Sequence, residues 1–328
     1  MLRTRLPKLS QIQRPVRDQL DGVVDELRRI VVSDFLPITE ISDHLLWSRG
    51  KLLRPMLLLL ANRIGDRPHS HAVTLAAVVE LVHLATLVHD DAVDHSVLRR
   101  GMPTVNALWN HQTAVLMGDY LYSRSVTELA RIGRVDLVEV LSRAANEMSV
   151  GELRQLTSCD ALRFTEEDYY RLIASKTASL MAAACEMGAV AGRAEYREPL
   201  SRFGHALGMA FQIVDDLLDY TEVESVTGKP AGQDLREHKV TLPLIAGMSV
   251  MGAAARADVE RFFADPEPDE LGIQRVIAIT DEHGGLEYAR ARAAAFGERA
   301  TQALVSLPPA EATDALRDLI AYVIERRS

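Results

Sequence analysis

Residues 72–89 run Ala-Val-Thr-Leu-Ala-Ala-Val-Val-Glu-Leu-Val-His-Leu-Ala-Thr-Leu-Val-His, apolar on nearly every side of a helix and interrupted chiefly by Thr74, Glu80, His83 and Thr86. A helix that is apolar all round must be surrounded, either by lipid or by protein. The interruptions make it a poor bilayer span, so it is expected to be the central helix of a bundle, with no membrane-spanning segment in the chain. The sequence as a whole is compatible with a large core, being 48% hydrophobic and 25% charged. Apolar residues recur at helical spacing almost throughout, and no alternating β-branched runs closed by hairpin turns are present. The fold class expected is all-α, a bundle of roughly ten or more helices around a central cavity.

Gly, Pro, Asp and Ser concentrate at residues 62–70, 97–102, 133–136, 158–165, 195–198, 221–240 and 265–270, which are the expected helix breaks. Thr165-Glu166-Glu167-Asp168 has the pattern of an N-cap followed by an acidic first turn, so a helix should start there. No linker or fixed-period repeat divides the chain, and residues 1–328 are taken as a single domain. The formal charge of −9 argues against a nucleic-acid partner or an anionic surface. Two cysteines, Cys159 and Cys185, give neither a disulfide framework nor a metal motif, and residues 1–20 lack the apolar segment of a signal peptide. A soluble, cytoplasmic protein is the expectation.

The central helix runs straight into Asp90-Asp91-Ala92-Val93-Asp94. Positions four apart share a helical face, so Asp90 and Asp94 point together with Asp91 beside them. Carboxylates at this spacing repel one another, and at a helix C-terminus they also oppose the macrodipole. Taken alone, a solvated acidic edge explains this triplet as well as a cation site does. Asp215-Asp216-Leu217-Leu218-Asp219 then repeats the spacing after the apolar stretch 206–214. Two triplets facing each other across a bundle would bind hard cations through oxygen, and magnesium suits them because it shares its remaining positions with water and substrate phosphates. A di-iron site needs a Glu-x-x-His pair from each of two helices; Glu80-x-x-His83 is one, but the stretch 206–219 that carries the second triplet has none. Cations for phosphate occur at Lys51 and Arg54, at Arg99 and Arg100, and at Lys176, Lys229 and Lys239. Any one of them alone is more simply a solvated charge.

Six motifs in order carry a family resemblance: Gly-Lys-x-x-Arg-Pro at 50–55, His-Asp-Asp-x-x-Asp at 89–94, Arg-Arg-Gly at 99–101, Lys-Thr at 176–177, Phe-Gln-x-x-Asp-Asp-x-x-Asp at 211–219, and a Lys-containing loop at 228–239. The chain resembles the all-trans isoprenyl (polyprenyl) diphosphate synthases. That resemblance implies the isoprenoid synthase fold and a prenyltransferase that condenses isopentenyl diphosphate with an allylic diphosphate, farnesyl or geranylgeranyl. Asp90, Asp91, Asp94, Asp215, Asp216 and Asp219 would hold magnesium, three ions with substrate bound. Arg99, Lys176 and Lys239 would contact the allylic diphosphate, and Lys51, Arg54, His83 and Arg100 the isopentenyl diphosphate. Thr177 and Gln212 would lie beside the reacting carbon, while Asp234 and Lys229 would belong to a closing loop. The resemblance also implies a homodimer. Two departures from the family pattern are Arg49, where a second Gly is common, and His238, where Gly commonly precedes the loop lysine.

In this family the residues one and two turns ahead of the first Asp triplet line the pocket for the hydrocarbon tail. Here they are Leu81, Val82, Ala85 and Thr86, with no aromatic among them. The implied product is longer than farnesyl, and the chain is most similar to the octaprenyl branch, whose products serve as quinone side chains. Heptaprenyl, solanesyl and geranylgeranyl products are the alternatives within the family. Both Asp triplets are intact, which disfavours a terpene cyclase or a non-catalytic partner subunit.

Overall fold

A computed structural model describes residues 7–47, 50–64, 69–157, 161–221 and 232–326. The helices are α1 (Leu9–Ile12), α2 (Arg17–Val31), α3 (Leu36–Trp47), α4 (Leu53–Arg63), α5 (Ala72–Val93), α6 (Val105–Leu108), α7 (His111–Ile132), α8 (Val135–Thr157), α9 (Glu166–Ile173), α10 (Ser179–Ala191) and α11 (Arg197–Thr221). They continue with α12 (Gln233–Arg236), α13 (Leu242–Val250), α14 (Ala253–Ala264), α15 (Glu270–Glu282), α16 (Gly285–Ala303) and α17 (Glu311–Glu325). Strands β1 (Leu98–Arg99) and β2 (Met102–Pro103) form one antiparallel hairpin, an addition to the all-α expectation.

The apolar helix is where its composition demands. α5 packs against α2, α4, α7 and α10, and it is the one described helix long and apolar enough to cross a membrane, with most of that length buried inside the protein. α10 is buried almost throughout and lies between α4 and α11. Two glycines permit that approach. A Cβ on Gly188 would stand 2.4 Å from the Leu58 carbonyl oxygen, and one on Gly204 2.6 Å from that of Met181. Such overlap cannot be relieved by a side-chain rotation, because the obstacle is backbone.

A buried carboxylate fastens this layer. Glu186 on α10 accepts from Arg143 on α8 at 2.8 and 2.9 Å, from Arg197 on α11 at 2.7 Å and from Ser201 at 3.1 Å. Its charge is matched and its lone pairs are used, the conditions under which burial of a carboxylate is tolerated. At the N-terminus of α9, Thr165 and Asp168 form the reciprocal capping box read from the sequence, with Thr165 Oγ1 accepting from the Asp168 amide at 3.2 Å.

Candidate active site

Asp90 and Asp91 occupy the last turn of α5, and Asp94 is its C-cap. Each carboxylate has a cation. Lys176 Nζ lies 3.3 Å from Asp90 and 2.9 Å from Glu152 of α8. Arg99 reaches Asp91 because the hairpin turns back at Arg100 and Gly101, both at positive φ (53° and 75°), the geometry of a two-residue primed turn. Its Nε donates to both Asp91 oxygens at 2.9 Å. Lys239 Nζ lies 3.6 Å from Asp94 and 2.7 Å from Glu237. Burial raises the Asp90 pKa, and Lys176 opposes it. Burial likewise works against the Lys176 ammonium, yet Asp90 and Glu152 hold its pKa above the usual lysine value.

The second triplet sits on α11. Asp216 accepts from the Tyr169 hydroxyl at 2.6 Å and from Gln212 Nε2 at 2.8 Å, and Gln212 Oε1 in turn accepts from Thr177 at 2.8 Å. Asp219 accepts from the Gln233 and Asp234 amides at 3.0 and 2.9 Å, so it anchors the start of α12. Asp215 accepts from Arg326 at 2.8 Å. Burial pushes the Asp216 carboxyl up to about 7, with the charges of Asp215 and Asp219 adding to it. Asp219 is raised for the same first reason, and Asp234 is driven well up by burial and then by Asp216 and Asp219.

Two bridges bring the triplets together. One is the dipeptide Lys176-Thr177, whose first side chain meets Asp90 and whose second is hydrogen-bonded to the partner of Asp216. These residues lie in a π-helical turn, Ala174–Ala178. The extra residue of a π turn shifts the register of the faces, which lets neighbouring side chains serve different helices. Gly151 and Gly208 make room for it, since a Cβ on either would lie 2.5 Å from Ser175 Cβ or 2.6 Å from Ala178 Cα. The other bridge runs from Asp94 to Lys239, whose amide donates to the Asp234 carbonyl at 2.7 Å, and from the Asp234 amide to Asp219.

Among the described residues no three carboxylate, imidazole or thiol groups already converge as a metal site. The chemistry of the donors nevertheless fits magnesium: they are all carboxylate oxygens, partly buried and repelling one another, and a small hard cation accepts water and phosphate in its remaining positions. Metal binding needs the ionised form, so apparent magnesium affinity should fall by up to about tenfold per pH unit as pH drops below about 7, measurable by titration across pH 6–8.5. The sign for folding is opposite. Because the folded pKa is raised above the ordinary 3.8, ionising Asp216 destabilises the metal-free fold increasingly as pH climbs from about 4 to about 7, so Asp216→Asn should gain most in Tm at neutral and alkaline pH.

The cations that the resemblance assigns to phosphate form a third group. Arg54 Nη1 donates to His83 Nε2 at 3.1 Å. Burial pushes Arg54 down to about 10 and holds His83 well below the ordinary histidine value, helped by Arg54, Arg100 and Arg99, so His83 is a neutral acceptor here. Buried Glu80 is raised by desolvation, against the pull of Arg54 and Arg100. Arg54 Nε is buried with no hydrogen-bond partner, an open donor for an anion. Gly50 allows Arg100 to close over this cluster, since a Cβ there would stand 2.7 Å from the guanidinium. Lys51 Nζ lies 3.4 Å from the Tyr322 hydroxyl.

Lys229 and Arg49 lie outside the described residues. His238 has φ +54°, a backbone state that glycine adopts freely and other residues reach at a cost of roughly 1–2 kcal/mol. Its ring is held by the Asp265 carbonyl at 2.8 Å and stacks on Phe262. Of the residues ahead of Asp90, Leu81, Val82 and Ala85 are buried, and Thr86 is half-buried, donating to the His83 carbonyl at 2.8 Å.

Sequence reasoning missed Glu152, Tyr169, Tyr322 and Arg326. Tyr169 has one faint signal, its place two helical turns ahead of Lys176 and just after a recognised cap. Removing its hydroxyl with Tyr169→Phe leaves Asp216 short of one donor, and should raise the magnesium concentration needed for half-maximal rate about tenfold with little change in Tm.

A family model described as polyprenyl synthetase matches residues 37–279. The chain is 41% identical over 319 residues to the all-trans-nonaprenyl-diphosphate synthase (geranyl-diphosphate specific) of Rhodobacter capsulatus, covering 97% of this chain and 98% of that one. It is 36% identical over 321 residues to the octaprenyl diphosphate synthase of Escherichia coli (strain K12), covering 97% and 99%. The crystal structure of a polyprenyl synthase from Caulobacter crescentus CB15, complexed with calcium and isoprenyl diphosphate, superposes with a TM-score of 0.93 at 33% identity, covering 99% of each chain.

Proposed function

Since the chain belongs to the polyprenyl synthetase family, we propose that it is a magnesium-dependent trans-prenyltransferase that adds isopentenyl diphosphate to an allylic diphosphate and makes a long polyprenyl diphosphate. The observation that carries this reading is the Lys176-Thr177 turn, which joins two opposed carboxylate triplets through Asp90 and Gln212. Such an arrangement is built to receive a metal-bound diphosphate with its reactive carbon beside polar, non-nucleophilic groups.

When bound, magnesium supplies positive charge to the leaving diphosphate. Lys176, Arg99 and Lys239 add to it as the allylic C–O bond breaks and its electron pair leaves with oxygen. Positive charge remains on carbon, near the oxygen dipoles of Thr177 and Gln212. Arg54 and Arg100, with neutral His83 beside them, hold the second diphosphate so that its double bond attacks that carbon. The new C–C bond leaves a cation that loses a proton to the departing diphosphate. Residues 232–239 connect Asp219 to Asp94 and form part of the loop that excludes water during these steps.

The product proposed is octaprenyl diphosphate, from a farnesyl or geranylgeranyl primer, for use as a quinone side chain in the cytoplasm. Support comes from the small residues ahead of Asp90 and from relatives named for eight- and nine-unit products. A homodimer is supported by exposed apolar residues on α7 and α8, among them Leu116, Leu153 and Leu156 at 66, 63 and 57% exposure. Incubation with labelled isopentenyl diphosphate, farnesyl diphosphate and magnesium, followed by dephosphorylation and chromatography, tests the reaction and its product together. No magnesium-dependent elongation with any allylic primer would overturn it.

A further inference from the structure

Arg326 is two residues from the end of the sequence and directly follows α17. Its Nη2 donates to Asp215 Oδ1 at 2.8 Å and to the Phe211 carbonyl at 3.1 Å, and its guanidinium lies over the Phe211 ring, Cζ 4.1 Å from the centroid. The side chain is only 9% exposed, although Asp215 is 55% exposed. Its Nε is buried with no hydrogen-bond partner, so the guanidinium is held at Asp215 with a donor left unmade. An arginine drawn in this far without full satisfaction answers the concentrated negative charge of Asp215, Asp216 and Asp219.

We propose that Arg326 is a resident counter-ion for the second carboxylate triplet, a positioning residue that metal must displace from Asp215, so that the C-terminal end of α17 and the metal site are thermodynamically coupled. This rests on the reading of Asp215 as a metal ligand. Cation and guanidinium compete for the same oxygen, so each weakens the other by the same factor. The release is transmitted along one helix: Tyr322, one turn before Arg326, is the residue that meets Lys51. Metal arrival at Asp215 thus loosens the end of α17 where it also contacts the predicted phosphate-binding lysine.

The test uses full-length protein without substrate and Mn²⁺ as a spectroscopic stand-in, with free ion counted by electron paramagnetic resonance. Arg326→Gln should bind Mn²⁺ about tenfold more tightly than the parent, and Arg326→Lys, which keeps a cation, should stay close to it. In the unaltered protein, Mn²⁺ should also accelerate amide hydrogen exchange over residues 319–326, a readout that needs no variant to fold. Equal Mn²⁺ affinity of parent and Arg326→Gln, or exchange at the C-terminal turn indifferent to Mn²⁺, would overturn the proposal. Asp215→Asn separates the two failures. If it weakens Mn²⁺ binding while Arg326→Gln changes nothing, Asp215 is a ligand without a counter-ion role for Arg326; if it has no effect, the ligand assignment itself fails.

Discussion

Asp90→Asn is expected to lower turnover about a thousandfold while leaving the fold intact. The isosteric amide keeps the shape of the last turn of α5 but removes the charge that meets Lys176 at 3.3 Å. On the proposed reading two losses then coincide: an oxygen anion offered to the metal disappears, and Lys176 relaxes toward Glu152, 2.9 Å away, and away from the diphosphate. Stability moves the other way or stays level, because Asp90 is a carboxylate whose burial already disfavours its charge. Asp219→Asn should be milder. Both oxygens of Asp219 accept backbone amides at the start of α12, so fewer of its lone pairs face a metal and more of its effect is on the 232–239 segment. Single-turnover rates with saturating magnesium, beside thermal melts, check both. A loss of less than tenfold for Asp90→Asn would remove this residue from the metal set.

What the sequence made legible follows the range of the interactions involved. α5 was readable because its surroundings are encoded in its own eighteen-residue pattern, and the α9 cap because Thr165 and Asp168 are three residues apart. The aspartate triplets were readable because like charges four apart have no local reason to exist. By contrast, the contact of Arg326 with Asp215 spans 111 residues and that of Tyr169 with Asp216 spans 47, so no local pattern announces either. The π turn at Lys176 is hidden for a related reason. Its sequence is ordinary for an α-helix, and the distortion fits only because Gly151 and Gly208 on two other helices leave room. The hairpin at 98–103 escaped because two-residue strands carry no period, although Arg100-Gly101 holds the positive φ pair it needs.

Thr86→Phe is expected to shorten the product to geranylgeranyl or farnesyl length. Thr86 is one helical turn ahead of Asp90, on the same face, and alone among Leu81, Val82, Ala85 and Thr86 it keeps accessible surface. On the proposed assignment, a growing tail anchored at the aspartates would meet Thr86 first and reach the three deeper residues only as their neighbours give way. Each isoprene unit gains from burial at about 0.8 kcal/mol per CH₂, so elongation continues while the channel accepts carbon and stops where a side chain blocks it. Ala85→Phe is expected to shorten the product as well, but with a second consequence. Ala85 is 2% exposed, so a phenyl ring there must displace packed neighbours at a cost of about 1–3 kcal/mol, visible as a lower Tm that Thr86→Phe largely avoids. Comparing the product ladders of both variants with that of the parent distinguishes a blocked channel from a damaged fold. If both stay folded and give the parent's chain length, the tail runs along a different face of α5 and the assignment of these residues to it is wrong.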